Sequence, residues 1–342
     1  MLLISNRFFA LLNKVKKNRF KIPDIRSNYM DCPRIEPRKR RTHTSKGKPL
    51  NKFPVKPVHI RGNSKTEPNT LDTVMGCPGK CHGCYASVSH YVYGGAMDFD
   101  SPQAMPLVPE MLKADLADLR FKHPHIDWVR LGVMGDPFGN KQGVEVTIQT
   151  AEIISDMGFK PVIITKFWSV PTQQQMIRLL LTGAIIHWSV IVGYDEYPVY
   201  DKRVAKIMDW LNQYHSYNKE ENVFMRLCTF SFKPKQEGGG GLAELQEWFR
   251  QQCKPFVPDG WAILETPWKM EGNDPRWPYV NLEDYFKAKS YSDYNNPEAR
   301  SRKSTCDPLY FEGDLYKSND GDVIACHTPC TICPNQCGTI RG

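Results

Sequence analysis

Short apolar segments alternate with amphipathic ones from about residue 71 to residue 267, and this alternation narrows the fold more than any other feature of the chain. Ile126–Val133 (IDWVRLGV) reads as a buried strand that ends at Met134-Gly135-Asp136-Pro137. Val144–Met157 carries apolar residues at helical spacing and stops at Gly158. Pro161–Thr165 is the next strand, and Thr172–Leu181 is a helix stopped by Gly183. Ala184–Val192 is a long apolar strand, Asp201–Tyr214 a helix, Val223–Phe230 a strand, Leu242–Cys253 an amphipathic helix and Trp261–Glu265 a strand. Strands separated by helices in this way imply βα units and a parallel sheet. Right-handed crossovers wind such units into a barrel or part of one. With a further strand at Leu71–Met75 the number reaches about six, short of the eight of a closed barrel. The expected fold class is therefore α/β, a partial (β/α)6 TIM-like barrel.

The flanks differ from this core. Residues 1–70 hold a stretch from 22 to 70 that is rich in Pro, Lys, Arg, Ser and Thr and has no apolar period, so they read as a basic arm and linker. Residues 268–342 lose the alternation and become rich in Pro, Tyr, Asn and Cys, which marks a C-terminal extension. The net charge of +8 is unevenly spread. Residues 1–60 carry 16 Lys and Arg against three acids, Asp24, Asp31 and Glu36, so the arm is strongly basic and the remainder mildly acidic. An apolar content of 41% excludes a chain too polar to form a core. No stretch reaches the ~18 apolar residues of a membrane span. The start, MLLISNRFFALL, places its charges after a broken apolar run, which is the wrong order for a secretory signal. An acid-free start also fits a transit peptide, with a basic, partly helical arm as the simpler alternative.

Seven of the 11 cysteines fall in two close groups. Tight Cys spacing without a secretory signal points to metal ligation in a reducing compartment, the cytoplasm. Cys77-Pro-Gly-Lys-Cys81-His-Gly-Cys84 follows the first expected strand, on the loop at its C-terminal end. That end is the catalytic face of a βα barrel. Three thiolates can hold three irons of a cubane iron–sulfur cluster and leave the fourth open for chemistry. A three-cysteine zinc site completed by His82 or a distant residue is the alternative.

Cys77, Cys81 and Cys84 resemble the cluster motif of the radical S-adenosylmethionine (SAM) enzymes. Gly83 stands where that family usually has an aromatic residue, and Tyr85 follows the third cysteine instead. Gly135-Asp136-Pro137, at the end of the next strand, is similar to the Gly-Gly-Glu-Pro segment with which the family contacts the SAM amino group. The resemblance covers residues 71–267 and implies a radical SAM core. It implies a [4Fe-4S] cluster on the three cysteines, SAM on the open iron, and an external electron donor whose electron cleaves SAM to a 5′-deoxyadenosyl radical. It assigns Gly135 and Asp136 to SAM, the latter as acceptor from its ammonium group. Ser189 is placed near the SAM ribose, with a hydroxyl bonded inside the sheet as the alternative. Arg226 interrupts an apolar strand and needs a partner, either the SAM carboxylate or an internal acid such as Glu265. Lys166 and Glu265 end strands on the catalytic face and are candidates to meet substrate, while His187, Cys228 and Cys253 read as core residues. Cys32 is isolated.

Cys326, Cys330, Cys333 and Cys337, with Cys306 upstream, supply four ligands out of five for a second, closed site. Zinc and a second [4Fe-4S] cluster both accept four cysteines. The family's frequent auxiliary clusters favour iron–sulfur, and a purely structural clamp is compatible with either metal. The run Arg38-Lys39-Arg40-Arg41 fits nucleic acid phosphates or a solvated tail. Tyr85, Tyr91, Tyr93 and Phe99 are candidates to stack on a base or to pack over the cluster. Asn63-Ser64-Lys65-Thr66 upstream and Cys84-Tyr85-Ala86 downstream are similar to uncharacterised radical-SAM-like proteins of bacteriophages, a likeness that implies no known reaction. The substrate class stays open between nucleic acid and peptide. The competing function is a non-enzymatic zinc protein that binds nucleic acid.

Overall fold

The computed structural model describes residues 38–44, 46–61, 69–81, 84, 86, 96–167, 170–191, 223–229, 232–253, 263–267, 275–281 and 323–325. At 173, 188, 190–191, 223–229, 248–253, 263–267 and 323–325 the description is of backbone alone. In chain order the elements are strands β1 (Thr70–Leu71), β2 (Val74–Met75) and β3 (Gln103–Ala104), helix α1 (Pro109–Lys122), β4 (Trp128–Leu131), α2 (Lys141–Asp156), β5 (Lys160–Thr165) and α3 (Gln173–Leu181). Then follow β6 (Ile185–Ile191), β7 (Val223–Thr229), α4 (Leu242–Cys253), β8 (Ile263–Pro267) and β9 (Val323–Ala325). Seven strands form one sheet in the order β1-β4-β5-β6-β7-β8-β9. Every pair in it is parallel, with Leu71 beside Leu131 and Leu131 beside Ile163. The short strands β2 and β3 form a separate antiparallel ribbon.

The helices arise where local signals and burial agree. Asn140 caps α2 by accepting from Gly143 N at 2.7 Å, and the helix stops before Gly158, whose φ of +74° suits a residue without Cβ. Thr172 and Gln175 exchange side-chain bonds at the start of α3 in a capping box. α1 begins with Pro109 and Glu110 in its first turn and buries Leu112, Leu116 and Leu119, spaced four and three apart on one face. These residues join Val144, Ile148 and Ile154 of α2 and Leu179 of α3 over Leu71, Val129, Leu131, Ile163 and Ile186 of the sheet. Each such side chain contributes about 1.5–3 kcal/mol by leaving water.

Three features depart from the sequence expectation. The single strand expected at Leu71–Met75 is broken into β1 and β2, because Asp72 leaves the strand to collect backbone donors from a neighbouring loop. Residues 38–44 and 46–61, expected as part of an extended basic arm or linker, lie against the body, with Phe53, Val58 and Ile60 buried and Ile60 N donating to Asp115 Oδ2 at 3.0 Å. The sheet has seven strands, the last from residues 323–325 of the expected extension, and Phe232 bridges Val280 from that region too. The expected helix 201–214 and residues 1–37 lie outside the described residues.

Candidate metal and cofactor site

β1, β4 and β5 end side by side, and the loops that leave them build the site. The first loop carries Asp72 and Thr73 into β2 and then Gly76-Cys77. The second, after β4, is Gly132-Val133-Met134-Gly135-Asp136-Pro137. The third begins at Lys166. Gly76 and Gly135 bridge the first two loops. A Cβ on Gly135 would lie 2.0 Å from Val74 O, so only glycine permits this approach. Gly76 has φ +87°, and a Cβ there would meet Phe99 O at 2.7 Å.

Two buried carboxylates fix the loops. Asp72 Oδ1 accepts from Val133 N at 2.7 Å, Met134 N at 2.8 Å and Gly135 N at 3.3 Å. Its Oδ2 pairs with the Arg61 guanidinium. Asp136 Oδ1 accepts from Phe138 N at 2.9 Å and Thr165 Oγ1 at 2.6 Å, and its Oδ2 accepts from Lys166 N at 2.6 Å. Burial pushes the Asp136 carboxyl above the usual range, against the pull of those donors and of the Lys166 charge.

The three cysteines are free thiols, Cys81 buried and Cys77 and Cys84 partly so. Cys77 and Cys84 pack against Phe53, Ala86, Phe99 and Met134. Gly79 N donates to Cys77 Sγ at 3.4 Å, and Lys166 Nζ donates to Cys81 Sγ at 3.7 Å. Burial raises the Cys77 thiol well above its usual value, and the neighbouring Asp136 carboxyl adds to the rise. Gly79 passes close to two of the sulfurs: a Cβ there would stand 3.3 Å from Cys77 Sγ, 3.4 Å from the Phe167 ring and 3.5 Å from Cys81 Sγ, a tight fit that glycine relieves. Among the described residues, no three His, Cys, Asp or Glu side chains gather around a point fit for a single metal ion. A cubane cluster has a different requirement, one thiolate per iron with the sulfurs held apart.

The basic run of the arm helps hold this loop. Arg38 N donates to Lys80 O at 3.0 Å, and its side chain grips Asp100 through two bonds of 3.0 and 2.5 Å. Arg40 bonds Asp98 at 2.8 Å and Ser101 at 2.5 Å. Between those acids, Phe99 O accepts from Cys77 N at 2.8 Å. Phe99 is buried here and packs at the cysteine loop.

The other expected site residues are placed less closely. Ser189 is partly buried on β6, in register with Arg226 of β7. Register pairs Arg226 with Leu264 and Leu227 with Glu265, so backbone positions 226 and 265 fall on opposite faces of the sheet. His187 is buried, as expected of a core histidine. β9 ends at Ala325, one residue before Cys326. Cys306, Cys326, Cys330, Cys333 and Cys337 lie outside the described residues, as do Cys32, Asn63–Thr66, His82, Gly83, Tyr85, Tyr91 and Tyr93. Asp72 and Arg61 were not singled out by sequence. An acid inside an otherwise apolar strand pattern was the available signal.

Among the described residues no helix is long and apolar enough to cross a membrane. Comparison with protein-family models, with curated proteins and with solved structures gives no match.

Proposed function

We propose that the chain is a radical SAM enzyme built on a partial (β/α)6 barrel. One observation carries the reading. A loop carrying three cysteines is joined, through Gly76 and Gly135, to a loop bearing a buried acid at the C-terminal ends of neighbouring parallel strands. The strand order also follows the chain without reversal, as in a barrel and unlike a doubly wound sheet. Cys77, Cys81 and Cys84 would hold a [4Fe-4S] cluster with one iron left for SAM. With one electron from an external donor, a cluster held there would supply reductive cleavage of SAM into methionine and a radical able to take hydrogen from substrate.

The chain's own residues set the stage. Asp136 ties the β4 loop to the end of β5 with three hydrogen bonds. A carboxylate has about four acceptor sites, which leaves one for the SAM ammonium group. Phe53, Phe99 and Met134 exclude water around Cys77 and Cys84. Ser189 and Arg226, neighbours in register on β6 and β7, would meet the ribose and carboxylate. The C-terminal cysteines would hold a second [4Fe-4S] cluster or zinc. The zinc and nucleic-acid alternative draws on the basic arm, but Arg38 and Arg40 are already bonded to Asp100 and Asp98.

Anaerobically reconstituted protein should be brown, contain iron and sulfide, and release 5′-deoxyadenosine from SAM under reductant. Cys84→Ala should abolish that release while the C-terminal metal stays bound. Colourless protein holding only zinc sinks the proposal.

A further inference from the structure

We infer that Lys166 is a positioning residue of the cysteine site, one that eases the arrival of an electron there by holding its ammonium group against the Cys81 sulfur. The inference rests on the cluster reading above and names what governs that site's redox poise. Lys166 is the first residue after β5, and its backbone N–H is fixed by Asp136 Oδ2 at 2.6 Å. The same residue then sends Nζ to Cys81 Sγ at 3.7 Å. Next to it, the Phe167 ring lies 3.4 Å from where a Gly79 Cβ would stand, so the chain after β5 packs against the cysteine loop.

The electrostatics of the site make this cation matter. Three cysteinates around a cubane core in its oxidised, doubly positive state leave one net negative charge, and a single electron makes it two. The surroundings are partly apolar, so these charges are weakly screened. Hydrogen bonds to cluster sulfurs and nearby charge are the levers by which a protein sets such a potential. An N–H donor that is also a cation, on a cysteine sulfur, acts through both and favours the reduced state.

The experiment is an anaerobic dithionite titration followed by electron paramagnetic resonance, on full-length protein and on Lys166→Arg, Lys166→Gln and Lys166→Met. Iron and sulfide are measured in each. Arginine keeps donor and charge, glutamine keeps a donor alone, and methionine keeps neither. The expected midpoint potentials fall in the order Lys and Arg, then Gln, then Met. The last step should shift the reduction equilibrium on the order of tenfold, about 59 mV for a one-electron couple. If Lys166→Met fails to load, the Arg and Gln variants still decide the matter. Loaded Gln or Met protein titrating at the parent potential overturns the inference and leaves the cluster reading standing. Parent protein without iron and sulfide overturns both.

Discussion

Asp72 and Asp136 follow neighbouring strands at one edge of the sheet, both buried and both gripping loop backbone, yet they are balanced in opposite ways. Asp72 is neutralised by the Arg61 guanidinium and caps three successive N–H groups. Asp136 has backbone and hydroxyl donors, with Lys166 offering it a backbone N–H and sending its ammonium group to Cys81. It faces Cys77, whose thiol it helps push upward. The first acid is a fastener. The second sits beside a buried thiol, without a guanidinium of its own, where burial pushes both groups toward their neutral forms.

That contrast can be broken in graded steps. Gly135→Ala should do most damage, because the Cβ would overlap Val74 O and disturb both acids' loops together. A cost above about 4 kcal/mol is expected, read as loss of soluble, cooperatively unfolding protein. Asp72→Ala should come next. It leaves Arg61 and three N–H groups without their acceptor, at a cost of roughly 3 kcal/mol in urea unfolding. An unchanged midpoint would show that Asp72 is no fastener.

Asp136→Asn should be milder and should show itself in pH dependence. An acid with a folded pKa raised above its ordinary value near 3.8 binds more protons when folded. Its contribution to stability is therefore greatest at low pH and declines as pH rises from there through the raised folded value. Metal-free parent protein should lose stability relative to Asp136→Asn over that interval, measured by denaturation at stepped pH. Parallel curves would remove Asp136 from the account. The smallest effect is expected at Arg178→Ala, remote from both acids. Its partners Glu145 and Glu152 are more than a third exposed, so about 0.5 kcal/mol is at stake.

The α/β class, the parallel pairing and the loop positions of the cysteines and Asp136 were legible because each rests on local pattern. Apolar runs such as PVIIT must be buried on both faces, and Gly158 and Gly183 end helices by their backbone geometry. What was not legible depends on distant partners. Nothing local shows that Asp72 will leave its strand for N–H groups about sixty residues away. Nor does the run Arg38–Arg41 announce the acids Asp98 and Asp100 that dock it. α1 is hard to read for a different reason: three leucines among six charged residues give a faint apolar face, although Pro109 and Glu110 mark its start.

The order of residues around the cysteines has a consequence for synthesis. Phe99, Asp136 and Lys166, which enclose the thiols, all come later in the chain, Lys166 by about ninety residues. At 5–20 residues per second the ribosome needs roughly 5–20 s to deliver that wall. Through that interval the nascent thiols are made but not yet walled in. Keeping oxygen low during expression therefore protects a half-built pocket as much as the finished one.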